Sequence, residues 1–310
     1  MGLFFGKNVS GDNRIENVGR WPMRVTHFHL VDDYEFPATN FPEVFFVQDG
    51  TFLHESDGST QALREGAVLV VNPGSRHRIR RPEGVTLSRI RFLPEWFTLE
   101  YELIANSPTL LSVFFDQSWF RYPREEGIHV FLLASERAPR VKGIFDDLWE
   151  MLKAGKHNDP ALRVTLLSLL SRLAEDYDRY WRGVAEVERT AEAKYALDVV
   201  EKSIVSGQPF QSAKMPRAGF EKRKIRTAFE ELTGMELDTY ADRRRVFHAA
   251  VRLLLRDDEP RKISKDLGFT TTSEFSKRFE AIFDISPSVY REKFRPRRPA
   301  DEPATAAEDA

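Results

Sequence analysis

The sequence predicts an α+β multidomain chain: an N-terminal β-barrel, a helical linker and a C-terminal all-α domain carrying two helix-turn-helix units. Three observations carry this prediction. Apolar residues follow a short-strand pattern up to about Leu133 and change to helical spacing from about Val141. The 310 residues exceed what a single hydrophobic core usually holds. Two C-terminal segments, opened by Gly219-Phe220 and Gly268-Phe269, repeat each other about 50 residues apart. The resulting division is 1–135 for the barrel, 136–190 for the linker, 191–295 for the helical domain and 296–310 for a tail.

Taken in order, Arg24 to Val31 roughly alternates between apolar and polar residues, as a half-buried strand does. Val44 to Val47 and Thr51 to Leu53 flank Gln48-Asp49-Gly50, which predicts a tight hairpin. Ala67 to Val71 is an apolar run ended by the turn Asn72-Pro73-Gly74. Short strands at this spacing predict a sandwich or small barrel. Farther on, Ile144, Leu148 and Leu152 share one helical face, and Leu162 to Leu173 is rich in leucine behind the helix-start residues Asn158-Asp159-Pro160. These helices either pack on the barrel or supply a dimer seam, because their apolar stripe is wide. Residues 296–310 are rich in Pro, Ala and charge and read as a disordered tail.

Net charge is -2 but unevenly placed. Gln211 to Arg298 holds 21 basic and 14 acidic side chains, about +7, which leaves about -9 on the remainder. A basic end on an acidic body points to a polyanionic partner for that end alone. Cysteine is absent, which excludes disulfides and thiolate chemistry and fits a reducing cytoplasm. Met1 to Ser10 has no long apolar run, and no apolar stretch is long enough to cross a bilayer. A cytoplasmic chain without membrane contact is therefore expected.

In each repeat an apolar triad recurs at i, i+4 and i+7. The triads are Ile225, Phe229, Leu232 and Phe275, Phe279, Ile282, and the segments close on Tyr240 and Tyr290. Such spacing buries one narrow stripe of a helix and frees the opposite side. Before the second helix, Ile263, Leu267 and Phe269 supply an apolar patch, Gly268 permits a left-handed turn, and Thr270 or Thr271 can cap. With the triad inward, at about 100° per residue, Ser273, Lys277 and Glu280 face outward with Glu274 on the flank. Base edges meet the N-terminal part of such a face, which selects Ser273, Glu274 and Lys277 for bases and Thr271 for a phosphate. The first repeat offers Arg223, Arg226 and Thr227 for bases and Lys222 and Lys224 for phosphates. Between the repeats, Thr239 to Leu255 reads as one helix with Val246, Ala250 and Leu253 buried. Its basic cluster, Arg243, Arg244 and Arg245, puts Arg244 forward for a phosphate. A rigid connector could hold two reading helices one DNA turn apart, roughly 34 Å.

The segment Ile263 to Arg291, through Gly268-Phe269, Ser273, Phe275, Phe279, Phe283, Ser286-Pro287 and Tyr290-Arg291, closely resembles the signature of the AraC/XylS family of bacterial transcription regulators. Weaker resemblance extends back to about Ala191. The resemblance implies two helix-turn-helix units, joined by a helix, that bind adjacent major grooves. Two departures matter. Lys214 and Met215 stand in the first unit where the second has Ile263 and Ser264, and Pro216 follows inside the expected helix, where a proline removes a hydrogen bond. The first unit is therefore expected to be distorted or loosely engaged. Asp284 replaces a glycine common in the family, at a turn where aspartate is tolerated.

Over about Arg24 to Phe92 the chain resembles the cupin-type sensor domain of that family, with Gly66 to His77 similar to the second cupin motif. This implies a small-molecule effector, such as a sugar, held by His29 or Phe28 with Glu43, Phe45 and His77. No cofactor, metal ion or catalytic residue is assigned. A metal would need a set such as His29, Glu43 and His77, and that set would make the chain a metal-dependent cupin enzyme, an oxygenase or isomerase, which is the alternative reading. The main reading is a sequence-specific transcription regulator, expected as a homodimer, with double-stranded DNA, the effector and RNA polymerase as partners. A third reading is an interaction adaptor that has lost DNA binding through its first unit.

Overall fold

Strands that bury both faces set the N-terminal half. The computed structural model describes residues 22–295 apart from 57, 120–126, 158, 182–189, 209 and 216–218, so Asn158, Pro216 and the tail lie outside the described residues. Strands β1 (Met23–Leu30), β2 (Tyr34–Phe36), β3 (Glu43–Ser56), β4 (Ser59–Arg64), β5 (Ala67–Val71), β6 (His77–Phe92) and β7 (Ile128–Leu132) form one antiparallel sheet. Its order is β1-β6-β3-β5-β7, with β2 added to β6 and β4 to β3. The outer strands β1 and β7 are not paired with each other among the described residues, so the expected barrel is an open, curled sheet.

Alternation along each strand separates two cores. Phe45, Val47, Leu69, Val71 and Leu87 point into the curl, where they meet Leu30 and Phe36. Val44, Phe46, Val68, Val70, Ile90 and Phe92 point the other way, into a second core completed by helices. β3 does not turn at Gln48-Asp49-Gly50 as the sequence predicts. It runs on, slipping register against β6 between Val47 and Asp49 and twice more by Leu53, and the chain reverses only after Ser56. Gly50 has φ +86°, and a side-chain carbon there would stand 2.5 Å from the Glu83 carbonyl oxygen. The glycine serves a bulge pressed against β6, not a hairpin.

A 3-10 helix, Pro94–Glu100, leads into α1 (Tyr101–Ala105), α2 (Pro108–Phe114) and α3 (Asp116–Trp119). Beyond β7 come α4 (Ala138–Lys153) and α5 (Pro160–Tyr180). Asp159 starts α5, its side chain accepting the Ala161 N–H at 2.9 Å, and Pro160 occupies the first turn. Leu162, Leu166, Leu169, Leu170 and Leu173 are fully buried beside Val141, Phe145 and Leu148. Each such side chain contributes about 1.5–3 kcal/mol of transfer free energy. The leucine stripe is thus filled by the chain's own core, which removes the width argument for a dimer seam on that face.

The C-terminal domain is α6 (Ala191–Val205), a 3-10 turn at Ser212–Lys214, α7 (Lys222–Thr233), α8 (Leu237–Leu255), α9 (Pro260–Asp266), α10 (Thr272–Phe283) and α11 (Pro287–Phe294). The triads lie inward as the spacing predicts, with Ile225, Phe229, Phe275 and Phe279 buried. Gly268 has φ +73° and Asp284 φ +57°, so both predicted left-handed turns form.

Candidate DNA interface and effector chamber

Each reading helix presents its expected face to solvent. On α10, Ser273 and Lys277 are exposed, and on α7 Lys222, Arg223, Lys224, Arg226 and Thr227 are exposed. The two helices begin differently. Thr271 caps α10 by accepting the Glu274 N–H at 3.0 Å, while the Glu274 carboxylate turns back to accept the Thr270 N–H at 3.1 Å. Glu274 also accepts from Arg278 Nε at 3.1 Å, so its oxygens serve the helix start and its flank. On α7 the cap residue Glu221 makes no side-chain capping bond, and Lys222 Nζ donates 2.6 Å to the Ala213 carbonyl.

The arginine cluster of α8 is engaged within the protein. Arg244 is buried and donates to Glu201 on α6, Nε to Oε1 at 2.6 Å and NH2 to Oε2 at 3.3 Å. Its guanidinium also lies 4.4 Å from the Tyr101 ring and 4.8 Å from the Trp119 ring. Burial raises the Glu201 carboxyl, but Arg244 and His248 outweigh that and hold it down to about 2. The expected phosphate contact at Arg244 is therefore corrected: its partner charge is internal. Arg243 donates 2.5 Å to the Ser118 carbonyl, and Arg245 donates 3.2 Å to the Gly268 carbonyl at the turn before α10. Asp242 bonds both Arg245 and Arg278, which ties α8 to α10.

The closing tyrosines explain why the repeat includes them. Phe229 and Tyr240 meet at 5.2 Å between ring centroids, and Phe279 and Tyr290 meet at 5.2 Å, both edge to face. Both hydroxyls leave the helical domain. Tyr240 donates to the Tyr101 hydroxyl at 3.1 Å, and Tyr290 donates to Glu95 Oε1 at 2.5 Å. Each repeat is thereby fastened to the stretch from Pro94 to Ala105. A cleft of about 280 Å³ remains in this seam, bordered by Phe41, Glu95, Phe247, Phe283 and Tyr290.

On the inner face of the sheet, Glu43, Phe45 and His77 are all buried. Phe36 stacks on His77 with centroids 4.7 Å apart and planes 8° from parallel, and Phe45 meets the same ring edge-on. His54 Nε2 lies 3.1 Å from His77 Nδ1. Burial pushes both imidazoles down, His54 to about 4 and His77 to about 3, so both are neutral near pH 7. Arg89 NH1 and Arg91 Nε lie 3.3 and 3.8 Å from Glu43 Oε1. The Arg89 guanidinium stands 4.7 Å from the Phe28 ring and 5.7 Å from those of Phe36 and Phe45.

His29 is not part of this cluster. Alternation on β1 turns Phe28 inward and His27 and His29 outward; His27 Nδ1 lies 2.8 Å from the Ser88 hydroxyl and its ring meets Trp149 of α4 edge-on. His29 is exposed, 3.4 Å from the Thr86 hydroxyl. The sheet therefore separates His29 from Glu43 and His77. Among the described residues no three His, Cys, Asp or Glu side chains are placed to hold a metal ion.

Known proteins match both halves. The family described as an AraC-like ligand binding domain matches residues 32–170, and that described as a helix-turn-helix domain matches residues 216–293. The chain belongs to the AraC family. Among AraC-type relatives, the HTH-type transcriptional activator RhaR of Mannheimia succiniciproducens is 21% identical over 277 residues, 88% of this chain and 92% of RhaR. The regulatory protein SoxS of Escherichia coli is 32% identical over 77 residues, 25% of this chain and 72% of SoxS. Among solved structures, ToxT from Vibrio cholerae spans 87% of this chain and 97% of its own at 10% identity, with a TM-score of 0.40.

As an AraC-type transcription regulator the chain joins a ligand-binding half to a DNA-binding half. Sequence reasoning missed His54, Arg89 and Arg91. The alternation Arg89, Ile90, Arg91, Phe92 reads as a strand with one wet face, but the C-terminal part of β6 is covered on both sides, so Arg89 and Arg91 point into the protein.

Proposed function

We propose that this AraC-type regulator reads its operator chiefly with α10, grips the neighbouring groove with α7, and acts as a homodimer whose effector binds within the curled sheet. The observation that carries the reading is the pair of outward faces. Ser273 and Lys277 on one helix, and Arg223, Arg226 and Thr227 on the other, are exposed, while Phe275, Phe279, Ile225 and Phe229 behind them are buried and Ile282 and Leu232 half-buried. Base edges are met by Ser273, Lys277 and Arg223, and phosphates by Lys222, Lys224 and Thr271. Glu274 is a weaker base reader than the sequence implies, because its carboxylate is engaged at the helix start.

Effector binding acts by population shift: a ligand that favours one arrangement of the sheet moves the segment Pro94 to Ala105, to which both readers are fastened. RNA polymerase is the second macromolecular partner of this reading, and the cytoplasm its place. The test is a mobility shift at several salt concentrations with fragments selected from the source genome. Lys277→Ala is expected to relax preference at one or two base pairs at a cost of about 1–3 kcal/mol. Lys224→Ala is expected to weaken all sequences alike and flatten the salt slope by about 1. Equal loss on every sequence for both variants, or no binding to any duplex in dilute salt, overturns the reading.

A further inference from the structure

An unbroken run of charge-assisted bonds joins α8 to the second reading helix through one carboxylate. Asp242 of α8 accepts from Arg245 on its Oδ1 and from Arg278 of α10 on its Oδ2. Arg245 passes on to the Gly268 carbonyl at 3.2 Å and lies 4.7 Å from the Phe269 ring, so it holds the turn. Arg278 passes on through Nε to Glu274 at 3.1 Å, and Glu274 accepts the Thr270 N–H at the helix start. Asp242 is therefore the junction at which arginines from two elements meet. The first unit lacks the partners for such a junction: with Ile225 set against Phe275, Lys224 stands at the place of Glu274 and Ala228 at that of Arg278.

Arg278 is set beside the reading face. It follows Lys277 by one residue, about 100° round the helix, and keeps 42% of its side chain exposed. A helix lying in a major groove turns such a flank toward the phosphate walls, which attract a free guanidinium without regard to sequence. We propose that Asp242 is a specificity-determining residue: it holds Arg278 as a phosphate otherwise would, so that α10 meets DNA in one fixed orientation and without an indiscriminate cation on its flank. The proposal rests on the reading of α10 as the base-selecting helix and names what keeps that helix selective. In Asp242→Asn, Arg278 is released to the DNA backbone. On a poor site that contact is a pure gain. On a good site it is offset by the lost alignment of Ser273 and Lys277, so the gap between the two narrows. Arg245 keeps the Gly268 carbonyl and the Phe269 ring, so the turn is still held.

The test uses the full chain with the genome-selected duplex and a shuffled duplex of equal length and composition, each titrated across salt concentration. Asp242→Asn is expected to bind the shuffled duplex about eightfold more tightly at roughly 0.1 M salt, with a salt slope steeper by about 1, and to lower the selected-to-shuffled affinity ratio by a similar factor. Arg278→Gln alone is expected to leave the slope as it is, because in the parent this side chain meets no phosphate. In the Asp242→Asn background the same change is expected to return the slope to the parent value. That cycle separates release of Arg278 from the general effect of one negative charge fewer, which acts in either background. Asp242→Glu, which keeps the carboxylate, is expected to keep the parent slope. Weakening of both duplexes alike by Asp242→Asn, as from a merely damaged fold, or a flattened slope for Arg278→Gln alone, overturns the proposal. If the parent chain does not distinguish the two duplexes, the reading of α10 fails and the proposal with it. If it distinguishes them and Asp242→Asn leaves the ratio unchanged, the proposal alone fails.

Discussion

The two helix-turn-helix units have the same triad and the same closing tyrosine, yet they are built to different tolerances. The second opens with the seven-residue helix α9, caps α10 with Thr271 and Glu274, and clamps the intervening turn from α8 through Arg245. In the first, the three-residue turn Ser212–Lys214 lies between α6 and α7 among the described residues, and Glu221 gives α7 no side-chain cap. What the first unit has instead is charge: Lys222, Arg223, Lys224 and Arg226 stand exposed within two turns. A groove contact that must choose between bases needs fixed geometry, whereas one that grips phosphates tolerates movement. On the proposed reading, selection falls mainly to α10 and grip mainly to α7.

The largest effect separating the units is expected at Arg244, whose carboxylate partner sits on α6 beside the first unit. Arg244→Ala leaves Glu201 buried without its main counter-charge and is expected to cost about 3–5 kcal/mol in a thermal or denaturant melt. Loss of DNA affinity with unchanged stability would restore Arg244 to the DNA face. Acid should act at the same place. The Glu201 carboxyl, at 4.5 ordinarily, is held near 2 in the folded chain. Its folded value lies below its unfolded one, so its contribution is full above about pH 4.5 and is lost as pH falls toward 2. Melts followed across that window are expected to lose stability more steeply for the parent chain than for Glu201→Gln.

Smaller effects sharpen the contrast between helix starts. Thr271→Ala removes the cap of α10 and is expected to cost about 1 kcal/mol and blur base preference, while Glu221→Ser gives α7 a cap it lacks and is expected to add up to about 1 kcal/mol. If neither changes stability, the difference between the units is not one of capping. The smallest effect lies at the helix ends, where Gly234 and Asp284 both adopt positive φ. Asp284→Gly relieves backbone strain at the second end and is expected to stabilise by under about 1 kcal/mol in the same melts.

Much of this architecture was legible because it rests on local rules. Ile225 and Phe229, Phe275 and Phe279, the left-handed Gly268 and Asp284, and the buried leucines of α5 all follow from spacing or from one residue's backbone preference. The failures have one cause in common: a local signal was answered by a distant partner. Gln48-Asp49-Gly50 looks like a hairpin, but Gly50 is needed for its closeness to Glu83 on another strand. Arg243, Arg244 and Arg245 look like a surface for DNA, but Ser118, Glu201 and Gly268 take them. On the inner face of the sheet, His77 belongs to the motif-like run from Gly66 and is buried with Glu43 and Phe45, whereas His29 fell on the other side of a strand whose facing no local pattern fixes.

The paired phenols of Tyr240 and Tyr290 give the duplicated domain a property that neither copy has alone. Because their partners Tyr101 and Glu95 lie on one short stretch, a displacement of that stretch would reach both repeats. The molecule so arranged behaves less like two hands on a rope than like a yoke, in which steering the crossbar steers the team.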